Sequence, residues 1–344
     1  MKNKHTQSQN IREFILQQVP ENPRGIARLV QQKFDISRQA VNRHLSKLVE
    51  EGILSASGTT RNKEYRMKPL KSEAFVLTIT QDLEEDSVWR RRIRPLLENV
   101  SSNVVEICHY GFTEILNNVL DHSTANTVKI GFEQTAIKLR LAVADNGVGI
   151  FAKIQQELGL ENHLHAVLEL AKGKLTTDPE RHTGEGIFFT SRMFDDFYII
   201  SGTLRFAHLN AKEDWLIEAP ETETKGTEVI MEIDPQSTRT VNQVFEKFAS
   251  EKEDYGFTRT KVPVALAQYG DENLISRSQA KRLVARFDRF KEVILDFKGV
   301  NNIGPAFADE IFRVFQAQHP ETQLAWINAN QNVERMIKRA LKNI

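Results

Sequence analysis

The sequence predicts an α+β multidomain protein, and three observations carry that prediction. The chain has 344 residues, which is longer than one domain usually is. Its first part shows three helical patterns and two short strands, and its middle part mixes strands and helices around glycine motifs. Its last part alternates strands with helices, as a small α/β domain does. These changes predict domains at 1–70, 71–234 and 258–344, with a helical connector at 235–257.

The composition predicts a soluble protein without disulfides. Hydrophobic residues make up 40% and charged residues 27%, which is normal for globular chains. No apolar run is long enough to span a bilayer, so no membrane partner is expected. The N-terminus lacks the apolar core of a signal peptide, and Cys108 is the only cysteine. We therefore expect a cytoplasmic protein.

The net charge of zero conceals an uneven distribution of charge: residues 1–70, called the head, are basic, and the rest of the chain is acidic. Residues 1–70 hold 13 Lys and Arg against 6 Asp and Glu, whereas the remainder holds 33 against 40. A compact basic unit of this kind is typical of nucleic-acid binding. The alternative is a module that dimerises or binds protein, with its charges on a solvated face.

The third helical pattern of the head begins after Ser37, a good N-cap, and ends at Gly52. Residues 53–67 then read as two short strands around a Ser-Gly-Thr-Thr turn. Residues 35–45, Asp-Ile-Ser-Arg-Gln-Ala-Val-Asn-Arg-His-Leu, look like a turn and a recognition helix. The whole head resembles a winged helix-turn-helix.

This resemblance implies double-stranded DNA as a partner. A recognition helix enters the major groove by its N-terminal half, where side chains can donate to base edges or phosphates. The candidates for that half are Arg38, Gln39, Asn42 and Arg43. The candidates for phosphate contacts are Lys47, Arg61 and Lys63.

A helix predicted at 111–123 carries a polar ladder beside its apolar stripe. Glu114, Asn118 and His122 are spaced four apart and therefore stack on one face. Three glycine-containing motifs follow it in the chain. They are Asp-Asn-Gly-Val-Gly-Ile at 145–150, His-Thr-Gly-Glu-Gly-Ile at 182–187 and Lys-Gly-Thr at 225–227.

In this order, the ladder and the motifs resemble the Bergerat-fold ATPase superfamily of gyrase B subunits, sensor histidine kinases and anti-sigma-factor serine kinases. The resemblance covers roughly residues 100–234 and implies an α/β sandwich that binds ATP and Mg²⁺. The residues it assigns to the cofactor are Asn118, Asp145, Gly147, Gly149, Gly184, Gly186 and Thr227.

Each assignment has a physical reason. The Asp145 carboxylate would accept from the adenine amine, and Thr227 would support that carboxylate. Gly184 and Gly186 leave backbone amides bare at a helix start, which favours phosphate. Asn118 supplies a hard oxygen for magnesium.

Glu114 matches the general base of the hydrolases and serine kinases of this superfamily. Taken alone, it also reads as a surface salt-bridge residue. His122 reads either as a phosphate neighbour or as a histidine that interacts with the helix dipole.

An insertion at about 151–183 is the predicted lid. Its cationic residues are expected to close over phosphates, and Lys174 is the candidate cofactor ligand among Lys172, Lys174 and Arg181. The alternative is that these three residues form an exposed cationic loop. No separate helix with a phosphoacceptor histidine precedes this region, so histidine autophosphorylation is not expected.

Residues 293–303, Val-Ile-Leu-Asp-Phe-Lys-Gly-Val-Asn-Asn-Ile, resemble a STAS-type domain, the fold of anti-sigma-factor antagonists. That family carries a phosphorylatable hydroxyl in the following loop, whereas residues 303–308 of this chain contain none. The resemblance therefore implies a protein-docking surface rather than a phosphate switch.

The first functional hypothesis is a bacterial, ATP-responsive DNA-binding transcriptional regulator, in which ATP/Mg²⁺ binding or slow hydrolysis controls domain arrangement. The second is an anti-sigma-type serine/threonine protein kinase that acts on a separate partner. The third is a nucleotide-bound scaffold that recruits a protein through the STAS-like domain. A homodimer is compatible with each of them.

Overall fold

A computed structural model describes the chain over residues 2–59, 62–175, 184–210, 214–218, 222–249, 256–268 and 273–342. The helices are α1 Lys2–Gln18, α2 Ile26–Phe34, α3 Arg38–Glu50, α4 Glu85–Val88, α5 Ser102–His122, α6 Ile150–Leu158, α7 His163–Lys172, α8 Gly186–Met193, α9 Val241–Lys247, α10 Arg277–Val284, α11 Pro305–Asp309, α12 Gln316–Gln318 and α13 Gln331–Leu341. The strands are β1 Leu54–Ser57, β2 Glu64–Met67, β3 Lys71–Thr78, β4 Thr127–Gln134, β5 Leu139–Asp145, β6 Asp196–Gly202, β7 Leu204–Leu209, β8 Asp214–Glu218, β9 Thr224–Ile233, β10 Arg259–Pro263, β11 Glu292–Asp296 and β12 Gln323–Ile327.

Within the described ranges the strands form three sheets, which confirms the mixed α and β architecture. Strands β1 and β2 make an antiparallel hairpin. Seven strands in the order β3-β4-β5-β9-β6-β7-β8 make a second sheet in which every neighbouring pair is antiparallel. Strands β10, β11 and β12 make a parallel sheet in chain order. Parallel neighbours need crossover connections, and α10 and α11 lie in those connections.

Helix α5 is the central helix of the large sheet, and it buries the apolar stripe that its sequence predicts. It packs against α8 with very little space between the helices. A β-carbon at Gly111 would lie 2.5 Å from Cε2 of the buried Phe194 ring. A glycine at this position therefore lets the two helices approach closely.

The C-terminal sheet and the large sheet share one hydrophobic core. Phe257, just before β10, joins the two halves. Its ring centroid lies 4.2 Å from that of Phe188 on α8 and 5.3 Å from that of Phe290 beside β11. Burial of aromatic surface across this junction stabilises one arrangement of the two halves.

The N-terminal helices and the β1–β2 hairpin have a separate core. It is built around buried residues such as Ile15, Val41 and Leu45, and Ala136 and Ile137 of the β4–β5 turn pack against it. Only residues 68–70 separate β2 from β3, and the amide of Leu70 donates to Gln134 O at 2.7 Å. The head is thus attached to the large sheet by a short, hydrogen-bonded connection.

Several elements differ from the sequence prediction. The sequence pattern at 83–102 predicts a helix interrupted near Pro95, and the structure divides this segment into α4, a π-helical turn at Trp89–Ile93 and a 3₁₀ turn at Arg94–Leu97. Pro95 lacks an amide proton and explains part of this break. Helix α5 begins at Ser102, nine residues before the predicted start. The apolar alternation at 261–267 predicts one strand, whereas the structure has β10 at Arg259–Pro263 and a 3₁₀ turn at Val264–Ala267.

None of the helices in the described ranges is both long enough and apolar enough to cross a membrane.

Candidate functional site

A cavity of about 300 Å³ lies between α5, β5, α6, α8 and β9. It has the size of a small-molecule pocket. Seven of the predicted site residues line it, although they come from four separate stretches of the sequence. They are Glu114, Asn118, Asp145, Gly149, Gly184, Gly186 and Thr227.

Asp145 ends strand β5 and presents a buried carboxylate to this cavity. The amide of Gly147 donates to its Oδ1 at 2.7 Å. Burial raises the pKa of the Asp145 carboxyl, and hydrogen bonds from the backbone amides of Gly147 and Thr227 partly oppose that rise. The carboxylate is therefore held in place by the backbone while it faces the cavity, where it can accept from a ligand.

Two glycines are required by the close approach of backbone to this aspartate. A β-carbon at Gly226, whose φ is +75°, would overlap the carbonyl of Asp145. A β-carbon at Gly147 would overlap the carbonyl of Ser123 at the end of α5. Gly226 belongs to the predicted Lys-Gly-Thr motif, but its contact with Asp145 comes from strand pairing that the motif alone does not show.

Thr227 connects the carboxylate to the first helix of the predicted lid region. Its Oγ1 accepts from the amide of Ile150 at 2.9 Å. That amide is one of the first donors of α6, which have no carbonyl partner within the helix. The Thr227 hydroxyl therefore does the work of an N-cap side chain from another strand. Its side chain contributes to the site by fixing α6, while its backbone amide supports Asp145.

Glu114 and Gly186 are in direct contact. A β-carbon at Gly186 would overlap Glu114 Oε2. The carboxylate thus lies at the N-terminus of α8, where backbone amides point outward and negative charge is favoured. Burial raises the pKa of the Tyr110 hydroxyl, and the carboxylates of Glu114 and Glu185 add to that effect. Helix α5 and the start of α8 therefore form the polar wall of the cavity.

Asn118 lies one turn further along α5 and is half-buried. Its Nδ2 donates to the carbonyl of Glu114 at 2.8 Å. This bond uses the amide nitrogen and leaves the Oδ1 oxygen as an acceptor for a ligand or a hard cation. The described residues contain no group of three or more His, Cys, Asp or Glu side chains placed to hold a metal. A magnesium ion at Asn118 would therefore depend on oxygens of the ligand.

Lys153 is a lining residue that the sequence reasoning missed. Its Nζ donates to the carbonyl of His122 at 2.9 Å and lies 3.4 Å from Glu157 Oε1. A cation is favoured at this C-terminal end of α5. Helical spacing could have identified Lys153 as a lining residue, because Ile150, Lys153 and Ile154 share one face of α6. His122 also lines the cavity, at the opposite end of the ladder from Glu114.

The lysines of the predicted lid lie elsewhere. Lys174 donates from Nζ to the carbonyl of Arg289 at 2.9 Å and is not among the lining residues. The Lys172 side chain is fully buried and bonded to Glu169 at 2.6 Å, so it belongs to neither an exposed loop nor the cavity wall. Arg181 falls outside the described residues.

The predicted DNA-contacting residues of α3 are all exposed on one helix. They are Arg38, Gln39, Asn42, Arg43 and Lys47. Four of them, Gln39, Asn42, Arg43 and Lys47, line a shallow groove together with Ser46 and Glu50. Burial lowers the pKa of His44, and the charges of Lys47 and Arg43 lower it further, as expected for a positive surface. Lys63 is exposed next to the Tyr65 ring, while Arg61 lies outside the described residues.

Comparison with known proteins identifies the C-terminal part of the chain. Residues 279–334 match a family described as a STAS-like domain of unknown function (DUF4325). The predicted STAS-like domain is thereby confirmed in that range, which extends from α10 to α13. No curated protein matches the chain.

The contact between Gly186 and Glu114 predicts a specific epistasis. Gly186→Ala should lower the free energy of unfolding by about 1 kcal/mol, because the added methyl overlaps the carboxylate and the flexible Glu114 side chain must turn aside. Glu114→Ala removes the overlapping atoms, so the double variant should recover most of that loss. Denaturant unfolding of the two single variants and the double variant measures the coupling. Strictly additive losses would contradict the described contact.

Proposed function

We propose that the protein binds ATP with Mg²⁺ in this cavity and acts as an ATP-responsive DNA-binding regulator. The observation that carries the proposal is the convergence of a buried carboxylate, an acidic and amide ladder, and a helix N-terminus on one pocket. The carboxylate suits the amine of adenine, the ladder suits magnesium, and the helix N-terminus suits phosphate. Their donors and acceptors therefore fit the nucleotide that the sequence resemblance implies.

Each part of the nucleotide has a suitable partner. The buried Asp145 carboxylate would accept from the adenine amine, and the apolar side chains of Ile154 and Val229 would cover the ring. The start of α8 at Gly186 would hold phosphate through backbone amides. Asn118 would bind magnesium through Oδ1. Bound magnesium would supply charge neutralisation for the phosphates.

Glu114 is the proposed general base. It lies beside the phosphate-favouring start of α8, one helical turn from Asn118. From that position its carboxylate would accept a proton from water or from an incoming hydroxyl. This proposal covers both slow hydrolysis and transfer to a partner hydroxyl, because the same base serves either acceptor.

DNA binding is the proposed output. The exposed face of α3 carries cationic and amide side chains around the groove at Asn42 and Arg43. These side chains match the hydrogen-bonding needs of base edges and phosphates. The separate core of the head and its contact with Ile137 support a unit held next to the large sheet. Strand β5 runs from just after that contact to Asp145, so one hairpin connects the core of the head with the cavity.

Substitutions at Asp145 and Glu114 should separate binding from chemistry. Asp145→Asn should weaken ATP binding by about 10–100-fold, because it removes a charge-assisted hydrogen bond. Glu114→Gln should leave binding within a few fold of wild type while abolishing turnover. Equilibrium binding of ATP and release of labelled phosphate, measured on the full chain, check both expectations. Wild-type affinity in Asp145→Asn would contradict the assigned adenine contact.

The stability of Asp145→Asn provides a control for folding. The folded-state pKa of Asp145 is raised, so its contribution to stability falls as pH rises through the interval between the unfolded and folded values. Ionising this carboxyl therefore costs more in the folded chain than in the unfolded chain, whereas an asparagine carries no charge. The variant should therefore unfold at the same temperature as wild type or higher, even though it binds ATP more weakly.

Arg43→Ala should weaken DNA binding by about 1–3 kcal/mol. The probe is a randomised duplex library, followed by gel-shift titration of the selected duplexes with and without ATP. Arg339→Ala is the matched control, since it removes an exposed arginine from α13. Failure to select any duplex in either nucleotide state would refute the DNA-binding proposal.

A further inference from the structure

The backbone that follows α7 is held by the C-terminal part of the chain. Residues 172–174 have three consecutive carbonyls, and each accepts a hydrogen bond from a side chain beyond residue 259. We name these three donors the clamp. The pairs are Thr260 Oγ1 to Lys172 O at 2.7 Å, Arg286 Nη2 to Gly173 O, and Arg289 Nη1 to Lys174 O at 3.2 Å.

Hydrogen bonds are also donated in the opposite direction, from the end of α7 to the C-terminal part. The fully buried Nζ of Lys172 donates to the carbonyls of Arg282 and Ala285 at 2.9 and 3.0 Å, where α10 ends. Glu169 neutralises this ammonium and pairs with Arg286 at 2.9 Å. Burial lowers the pKa of Lys172 to about 8. Breaking such a buried network is costly because it leaves charge without a partner.

The clamped backbone continues directly into the cavity wall. The amide of Leu175 donates to the carbonyl of Gly184 at 3.1 Å, and both residues line the cavity. A β-carbon at Gly173 would lie 2.6 Å from the Phe257 ring and 2.7 Å from the Phe188 ring. Residues 173–175 therefore have little freedom to move unless the C-terminal part moves with them.

We propose that the clamp makes the predicted STAS-like domain at 258–344, called the STAS-like half from here on, a regulator of the nucleotide site in the same chain. Thr260, Arg286 and Arg289 are positioning residues: they touch the backbone next to the cavity wall rather than the ligand. This inference rests on the proposed nucleotide binding. By linkage, a protein that binds the STAS-like half and shifts the clamp changes ATP affinity, and ATP changes the affinity for that protein by the same factor.

Thr260 offers the sharpest test, because its side chain is buried and makes one defined bond to Lys172 O. Thr260→Val keeps the shape of the side chain and removes the hydroxyl. It should weaken Mg-ATP binding to the full chain by about fivefold or more. Thr260→Ser retains the hydroxyl and should bind as wild type does.

Thr322→Val is the matched control. Thr322 is equally buried, and its Oγ1 donates to the carbonyl of Phe290 at 3.0 Å within the C-terminal part. This variant should lose a similar amount of stability in thermal unfolding while keeping the wild-type dissociation constant for Mg-ATP. The pair of variants separates positioning from general destabilisation.

The outcomes are distinguishable. Weakened binding in Thr260→Val, with normal binding in Thr260→Ser and Thr322→Val, supports the clamp. Equal dissociation constants in wild type and Thr260→Val overturn the clamp and leave the proposed function intact. Equal weakening in Thr260→Val and Thr322→Val also overturns it. Absence of Mg-ATP binding in wild type refutes the proposed function and the clamp together.

Discussion

The close approach of α5 to α8 is the constraint on which the candidate site depends. It requires glycine at two points: Gly111 contacts the Phe194 ring, and Gly186 contacts the Glu114 carboxylate. A β-carbon at Gly111 would press on the buried Phe194 ring and separate the helices, and one at Gly186 would displace the Glu114 carboxylate from the start of α8. Close packing thus brings Glu114 and Asn118 near the N-terminus of a second helix, which is where the proposed function has phosphate and magnesium bind.

The same packing extends into the C-terminal half. Phe188 of α8 lines the cavity and also packs against Phe257, which contacts Phe290 near the STAS-like sheet. The residues that line the cavity all lie between Glu114 and Val229, and that part of the chain shares its hydrophobic core with the STAS-like half. The N-terminal head has its own core and meets the large sheet at the β4–β5 turn. In the proposed function, the central sheet therefore lies between an input held by the C-terminal half and an output at α3.

Features that depend on local sequence were predictable. Asp145 at a strand end and Gly186 at a helix start follow from short motifs, and both line the cavity. Features that depend on distant contacts were not. A lysine at position 172, beside a glycine and a second lysine, is typical of an exposed loop. Its side chain is nevertheless buried, because carbonyl oxygens at the end of α10 accept its hydrogen bonds. Lys153 belongs to no recognisable motif. It lines the cavity because α6 contacts the end of α5.

Amide hydrogen exchange of the full chain, with and without Mg-ATP, tests the central claim most directly. The account predicts slower exchange in residues 145–154 and 184–193, which hold the proposed adenine and phosphate contacts. It also predicts slower exchange in residues 277–289, because the clamp joins that segment to the cavity wall. Unchanged exchange in 145–154 and 184–193 at saturating Mg-ATP would contradict a nucleotide site in this cavity. Protection there without protection at 277–289 would contradict the coupling.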